Sequence, residues 1–192
     1  AGSIQSLVAA STASSASLGT GAGGTTTGGT TASTLGPNPM ETYYGGARQQ
    51  ILVTASELSG LGLSGGSVIN SLGITLATAA TTPTYPLSSY KVKMQHTALT
   101  ALTSTFVNTG FTTVYGPSTY TPVVGTNTLS FSSNFTWDGS SNLLIEMTYS
   151  NNNGGNSGGT HTTAKYDATT PVTTAFYRID NTTAATVEAA TT

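Results

Sequence analysis

SYKVKMQH at residues 89–96 and NLLIEMTY at 142–149 are the stretches whose reading decides the fold. Successive side chains of an extended strand point to opposite faces. In the first stretch, Tyr90, Val92, Met94 and His96 therefore share one face, and Lys91, Lys93 and Gln95 share the other. That is the pattern of a half-buried strand. In the second, Leu143, Ile145, Met147 and Tyr149 alternate with Leu144, Glu146 and Thr148, which predicts a strand whose second face is better covered.

Working outward, residues 68–76 (VINSLGITL), 112–115, 128–131 and 174–179 are further candidate strands, and no helical stripe exceeds two turns. Only ASELSGLGL at 55–63 reads as a helical turn, kept short by its glycines. Turn residues punctuate these runs at Gly65 and Gly66, Pro83 and Pro86, Gly116 and Pro117, Asp138 and Gly139, and the long NNNGGNSGG at 151–159. Many short strands with Gly and Pro turns predict an all-β fold, a two-sheet antiparallel β-sandwich. Jelly-roll and Ig-like connectivities are both compatible with this pattern.

Composition divides the chain into two parts: an uncharged Gly/Ser/Thr/Ala-rich arm or linker at 1–40 and a sandwich domain at 41–192. Residues 1–40 contain no Asp, Glu, Lys, Arg or His. Such a stretch buries too little apolar surface to offset the entropy of ordering it, so the arm needs something to pack against. Its own domain and a neighbouring copy are equal candidates, with Ile4, Leu7, Val8 and Leu35 as the apolar residues that would make the assembly contact. The charged fraction of 6% is far below the roughly 25% of ordinary soluble proteins. With five basic residues and a net charge of -2, the chain has no means of neutralising a phosphate backbone, which argues against nucleic acid. Cysteine is absent, which removes disulfides and thiolate metal sites. No stretch approaches the roughly 20 apolar residues that span a bilayer. SIQSLVAA is too short and lacks the basic flank of a signal peptide, so the chain reads as a mature product or an excised repeat.

A resemblance is carried by ETYYGGARQQILVTASEL (41–58) together with FTWDGSSNLLIEMTY (135–149). Paired tyrosines, an Arg-x-Gln before apolar alternation, and a Glu-Leu pair appear here as Tyr43, Tyr44, Arg48, Gln50, Ile51, Val53, Glu57 and Leu58. Trp137, Asp138, Gly139 and Asn142 follow in the second segment. Over about residues 41–180 the chain resembles a β-sandwich module repeated in large surface and adhesin-like proteins that Bacteroidota export through the type IX secretion system. The resemblance implies an extracellular or cell-surface location and a building-block role. Within that signature, Arg48 and Glu57 are expected to form an ion pair that fixes the fold.

The residues offer little chemistry. His96 and His161 have no local spacing motif for zinc, and the carboxylates Glu41, Glu57, Asp138, Glu146, Asp167, Asp180 and Glu188 select no catalytic pair. No catalytic residue, cofactor or enzymatic activity is expected. Asp138 and Asn142 are the calcium candidates, set against the plainer reading of Asx-turn hydrogen bonds by both. Trp137 is either an exposed platform for a sugar ring or a core plug beside an Asp-Gly turn, and its neighbours Phe131, Phe135 and Leu143 favour the core. Asn134 and Asn181 each begin an N-x-[ST] acceptor pattern, which carries little meaning in a bacterial product. The resulting expectation is a non-catalytic, self-associating subunit or repeat of an extracellular filament or adhesin. The alternative is a carbohydrate-binding module of a secreted protein, with surface glycans as partners.

Overall fold

A computed structural model describes residues 6–9, 14–26, 38–80, 84–167 and 173–191. Ile4, Leu35 and Pro83 lie outside the described residues. The arm contributes β1 (Ser6–Ala9), β2 (Ser14–Ala16) and β3 (Gly24–Thr26). The body follows as β4 (Gly46–Val53), α1 (Ala55–Gly60), β5 (Val68–Thr78), β6 (Leu87–Thr97), β7 (Thr112–Tyr120) and β8 (Gly125–Thr136). β9 (Asn142–Ser150), β10 (Thr163–Tyr166), β11 (Thr174–Ile179) and α2 (Ala184–Ala189) complete it.

Two antiparallel sheets pack face to face, the all-β sandwich that the alternation predicts. One sheet runs β11-β4-β9-β6-β7. In the other, β5 pairs β8 along one edge, while its opposite edge is shared end to end by β1 and β10, with β2 beyond β1 and β3 beyond β10. Among the body strands, only the β6–β7 connection stays within a sheet. Every other connection crosses over, so sequence neighbours face each other across the core.

The core lies where the inward faces meet. Ile69, Leu72, Ile74 and Leu76 of β5 face Tyr90, Val92 and Met94 of β6 and Leu143, Ile145 and Tyr149 of β9, all buried. Burying aliphatic and aromatic side chains of this size contributes roughly 1.5–3 kcal/mol each, which is the main term holding the sheets together. β9 is buried on both faces, because a second apolar cluster of Leu52, Leu102, Phe106, Leu144 and Ala175 covers its outer side. The loop at 98–111 supplies that cover and explains why β9 reads as more apolar than a half-buried strand.

Two local expectations change. Gly116 and Pro117 do not make a turn; they sit inside β7, where the register shifts between Tyr90 and Val92 as the extra β7 residue is absorbed in a bulge. The second short helix, α2, also has no counterpart in the sequence reading, because with one buried residue, Val187, it is too short to show a stripe. By contrast, α1 forms where the 55–63 reading places it.

Candidate functional site

The arm docks on the exposed edge of β5. β1 pairs antiparallel with β5, placing Leu7 opposite Leu72 and Val8 opposite Ser71, and β3 pairs with β10. The body strands leave residues 69–73 of β5 without a neighbour on that side, and the arm supplies it. This pairing uses backbone N–H and C=O groups, so it asks little of the side chains and suits a Gly/Thr sequence. Of the two docking partners open to the sequence, the described arm strands meet their own body.

A latch holds the arm at the end of β10. The Asp167 carboxylate accepts from the backbone N–H groups of Gly21 at 2.7 Å and Ala22 at 3.1 Å, and from the Thr20 hydroxyl at 3.3 Å. Gly19 has φ +73°, and a Cβ there would collide with that carboxylate, so glycine is required at this point of the arm. Desolvation pushes the Asp167 carboxyl up, but the hydrogen bonds from Gly21, Ala22 and Thr20 outweigh it and hold the group below the usual carboxylate range. A depressed folded value means the ionised form favours docking. The latch is therefore fully present above the unfolded value of about 3.9 and lost as pH falls through the lower folded value. We expect Asp167→Ala to raise amide exchange at Gly21 and Ala22 several-fold at pH 7 while leaving β9 amides unchanged. Equal protection of Gly21 and Ala22 in variant and parent would show that the latch does not hold the arm.

The outer face of the β11-β4-β9-β6-β7 sheet gathers three of the five basic residues. Register places Arg48 opposite Thr148 and Gln50 opposite Glu146, so alternation brings Arg48, Gln50 and Glu146 to one face. Arg48 Nε donates to Glu146 Oε2 at 2.9 Å, Gln50 Nε2 donates to the same oxygen at 2.7 Å, and Lys93 Nζ meets Oε1 at 2.7 Å. The expected Arg48–Glu57 pair is thereby corrected. Glu57 instead closes a capping box with Thr54 at the start of α1, its carboxylate accepting from the Thr54 N–H at 2.7 Å. Arg48 also donates to Val107 O at 2.9 Å, Asn108 Oδ1 at 2.6 Å and Ala190 O, and its guanidinium lies 4.7 Å from the Phe106 ring centroid. Lys91 and Lys93 both reach Glu188 of α2. The network clamps the 98–111 loop and α2 onto the sheet. Both Glu146 oxygens are engaged by cations and the side chain is fully buried.

At one end of the sandwich, aromatic side chains form a row. Tyr44 meets Tyr43 at 5.3 Å between centroids, Tyr43 meets the His161 ring edge-on at 5.1 Å, and Tyr85 stacks on His161 at 5.4 Å. Tyr43 is 48% exposed. Beneath the row, Arg178 lies over Tyr44 at 4.3 Å and bonds Glu41 at 3.2 Å. Burial pushes the Glu41 carboxyl up to about 8, against the pull of Arg178. Glu41 is sealed beneath the surface, so this unusual acid faces no open groove.

The remaining signature residues are structural in their contacts. Trp137 is fully buried, its indole N–H donating to Ser141 O at 2.8 Å, which places it in the core and not on a sugar-binding surface. Asp138 Oδ1 accepts from the N–H groups of Ser140 and Ser141 at 2.9 and 2.8 Å, the Asx turn that the sequence suggests. Gly139, with φ +89°, lets the turn pass so close to Gly65 that a Cβ would come within 2.7 Å of its Cα. Asn142 differs from its expected Asx turn. It bridges two other segments, accepting from Ala55 N–H at 2.7 Å and donating to Leu99 O at 2.7 Å. The amide of Asn142 is thus committed to protein groups, and among the described residues no group of three or more His, Asp or Glu is arranged to hold a metal.

The residues that sequence reasoning missed are Asp167, Gly19, Gly21 and Glu146, whose roles depend on partners distant in the chain. Among the described residues no helix is long and apolar enough to cross a membrane. Compared with family models, curated proteins and solved structures, the chain matches none.

Proposed function

We propose that this chain is a non-catalytic structural module of an extracellular surface filament or adhesin, and that copies associate when the arm of one completes the sheet of the next. The observation that carries this reading is the β5 edge at residues 69–73, which the body leaves for an arm strand to fill. An antiparallel partner makes the same backbone bonds whichever copy it comes from, so the contact seen within one chain is open to exchange between chains. Exchange in one direction builds an open, head-to-tail array. The low charge removes repulsion between copies, and the resemblance of residues 41–180 to type IX-exported surface modules supports the location.

The test compares the full chain with a variant lacking residues 1–36, using circular dichroism for folding and electron microscopy with sedimentation for assembly. The truncated body is expected to stay folded and become unable to form arm-linked arrays. Normal assembly without the arm would overturn the reading.

The carbohydrate-binding alternative is favoured by one observation, the partly exposed row Tyr43, His161 and Tyr85, since aromatic faces combined with polar tips suit uncharged ligands. A monomer that is retained on a polysaccharide column, and released by Tyr43→Ala, would support it in place of the filament.

A further inference from the structure

The rims of the two sheets are β2, β3 and β8 on one and β7 and β11 on the other. A sheet rim presents unpaired backbone donors and acceptors, and folded proteins normally blunt it with short strands, bulges, proline or charge. β2 and β3 have three residues each. β7 carries Pro117 and three register shifts against β6. β11 has six residues and carries Arg178.

β8 differs. Residues 125–130 pair with β5 in unbroken register, from Leu76 opposite Gly125 to Ser71 opposite Ser130, and no described strand lies on their other side. The twelve residues of β8 include no charge and no proline. Thr126, Thr128 and Ser130 are exposed on the outer face while Asn127 and Leu129 are buried. The turn leading into this strand adds a second observation. Val123 and Val124, 54% and 61% exposed, are two of the four exposed large hydrophobic residues of the described chain, and they immediately precede this strand, the Val123 backbone bonded to the buried Asn127 amide.

We propose that two copies join edge to edge, β8 against β8 in antiparallel fashion about a two-fold axis near Thr128, so that one sheet continues through both. A second copy is the partner that the edges select, because the arm strands β1 and β3 already have neighbours and β8 is the one unprotected rim among the described strands of each copy. A two-fold contact is self-complementary by construction. Antiparallel pairing centred near Thr128 sets Thr126 of each copy opposite Ser130 of the other and leaves Val123 and Val124 flanking the joint at its two ends. On the outer side Thr128 faces Thr128 and Thr126 faces Ser130, hydroxyl pairings that antiparallel sheets favour, and no like charges meet. Beyond Ser130, residues 131–134 bulge away, and Ser132 donates to Val114 O at 3.3 Å, which limits the joint to the straight segment.

This deepens the self-association reading and rests on it for the premise that copies meet, yet the joint is separate from the arm. Because the chain has no cysteine, Thr128→Cys introduces the only thiol in each full-length copy. Under mild oxidation this variant is expected to become a disulfide-linked dimer. Thr113→Cys on the protected β7 edge is expected to stay unlinked. In the parent chain, amides of residues 125–130 are expected to exchange at least tenfold more slowly at high than at low protein concentration. The triple variant Thr126→Lys, Thr128→Lys, Ser130→Lys, which sets like charges across the axis, is expected to abolish that dependence while keeping the parent's circular dichroism. Concentration-independent exchange at 125–130, or equal cross-linking of the Thr128→Cys and Thr113→Cys variants, would overturn the proposal. Failure of the arm reading looks different, leaving a discrete β8-linked dimer in place of an open array.

Discussion

Trp137→Ala is expected to destabilise the fold by about 3–5 kcal/mol, the range for deleting a packed aromatic side chain. Trp137 is the largest fully buried side chain, and it closes the sandwich where β8 ends. Its backbone N–H donates to Ser67 O at 2.9 Å and its carbonyl accepts from the Gly66 N–H at 2.8 Å, joining the start of β5 to the turn before β9. Its indole bonds Ser141 O across the same turn. Alanine therefore leaves a cavity and also an unpaired carbonyl at a point where three segments converge. Urea unfolding should show a lower midpoint with little change in slope. A loss below about 1 kcal/mol would contradict the packing role, since core cavities of this kind cost more.

Glu146→Ala is expected to cost a similar amount, about 3–5 kcal/mol, for a different reason. Arg48 is 1% exposed and loses its carboxylate while staying desolvated, and Gln50 loses its acceptor too. The cost comes from the stranded charge and not from a large net gain of the intact pair, so the double variant Arg48→Met, Glu146→Leu should recover most of the loss. A double-mutant cycle reads this directly. If the double variant were as unstable as the sum of the singles, the pair would be acting as two independent contacts. The single variant should also loosen the C-terminal segment. Arg48 holds Ala190 O, and the Phe106 N–H donates to Thr191 O at 3.0 Å, so exchange at Phe106 should accelerate.

The difference between those two residues shows what is legible in sequence. The surroundings of Trp137 are local: apolar alternation before it, Asp138 and Gly139 after it, and Leu143 soon following. Those neighbours are enough to place it in the core. Glu146 falls within the alternation of its strand, and Arg48 and Gln50, two positions apart, share a face once β4 is extended. It does not show that β4 and β9 are neighbours, and that adjacency makes Glu146, 98 positions from Arg48, its partner in preference to the nearby Glu57. The Thr54 and Glu57 spacing is itself a capping signal, which identifies the true role of Glu57.

By itself, then, the sequence determined the elements whose information is periodic or local: the β class, the two-faced cover of β9, the Asp138 turn, the short α1 and the burial of Trp137. Tertiary structure alone decided which strands pair, where the charges meet, and that the Gly/Thr arm lies along β5 with Asp167 latching it. The physical reason is that side-chain alternation records which face a residue turns to the core, whereas strand pairing is made by backbone groups that every residue carries. A chain rich in Thr and Gly and poor in charge thus displays its strands clearly and leaves their neighbours to be settled by the closing of the whole sandwich.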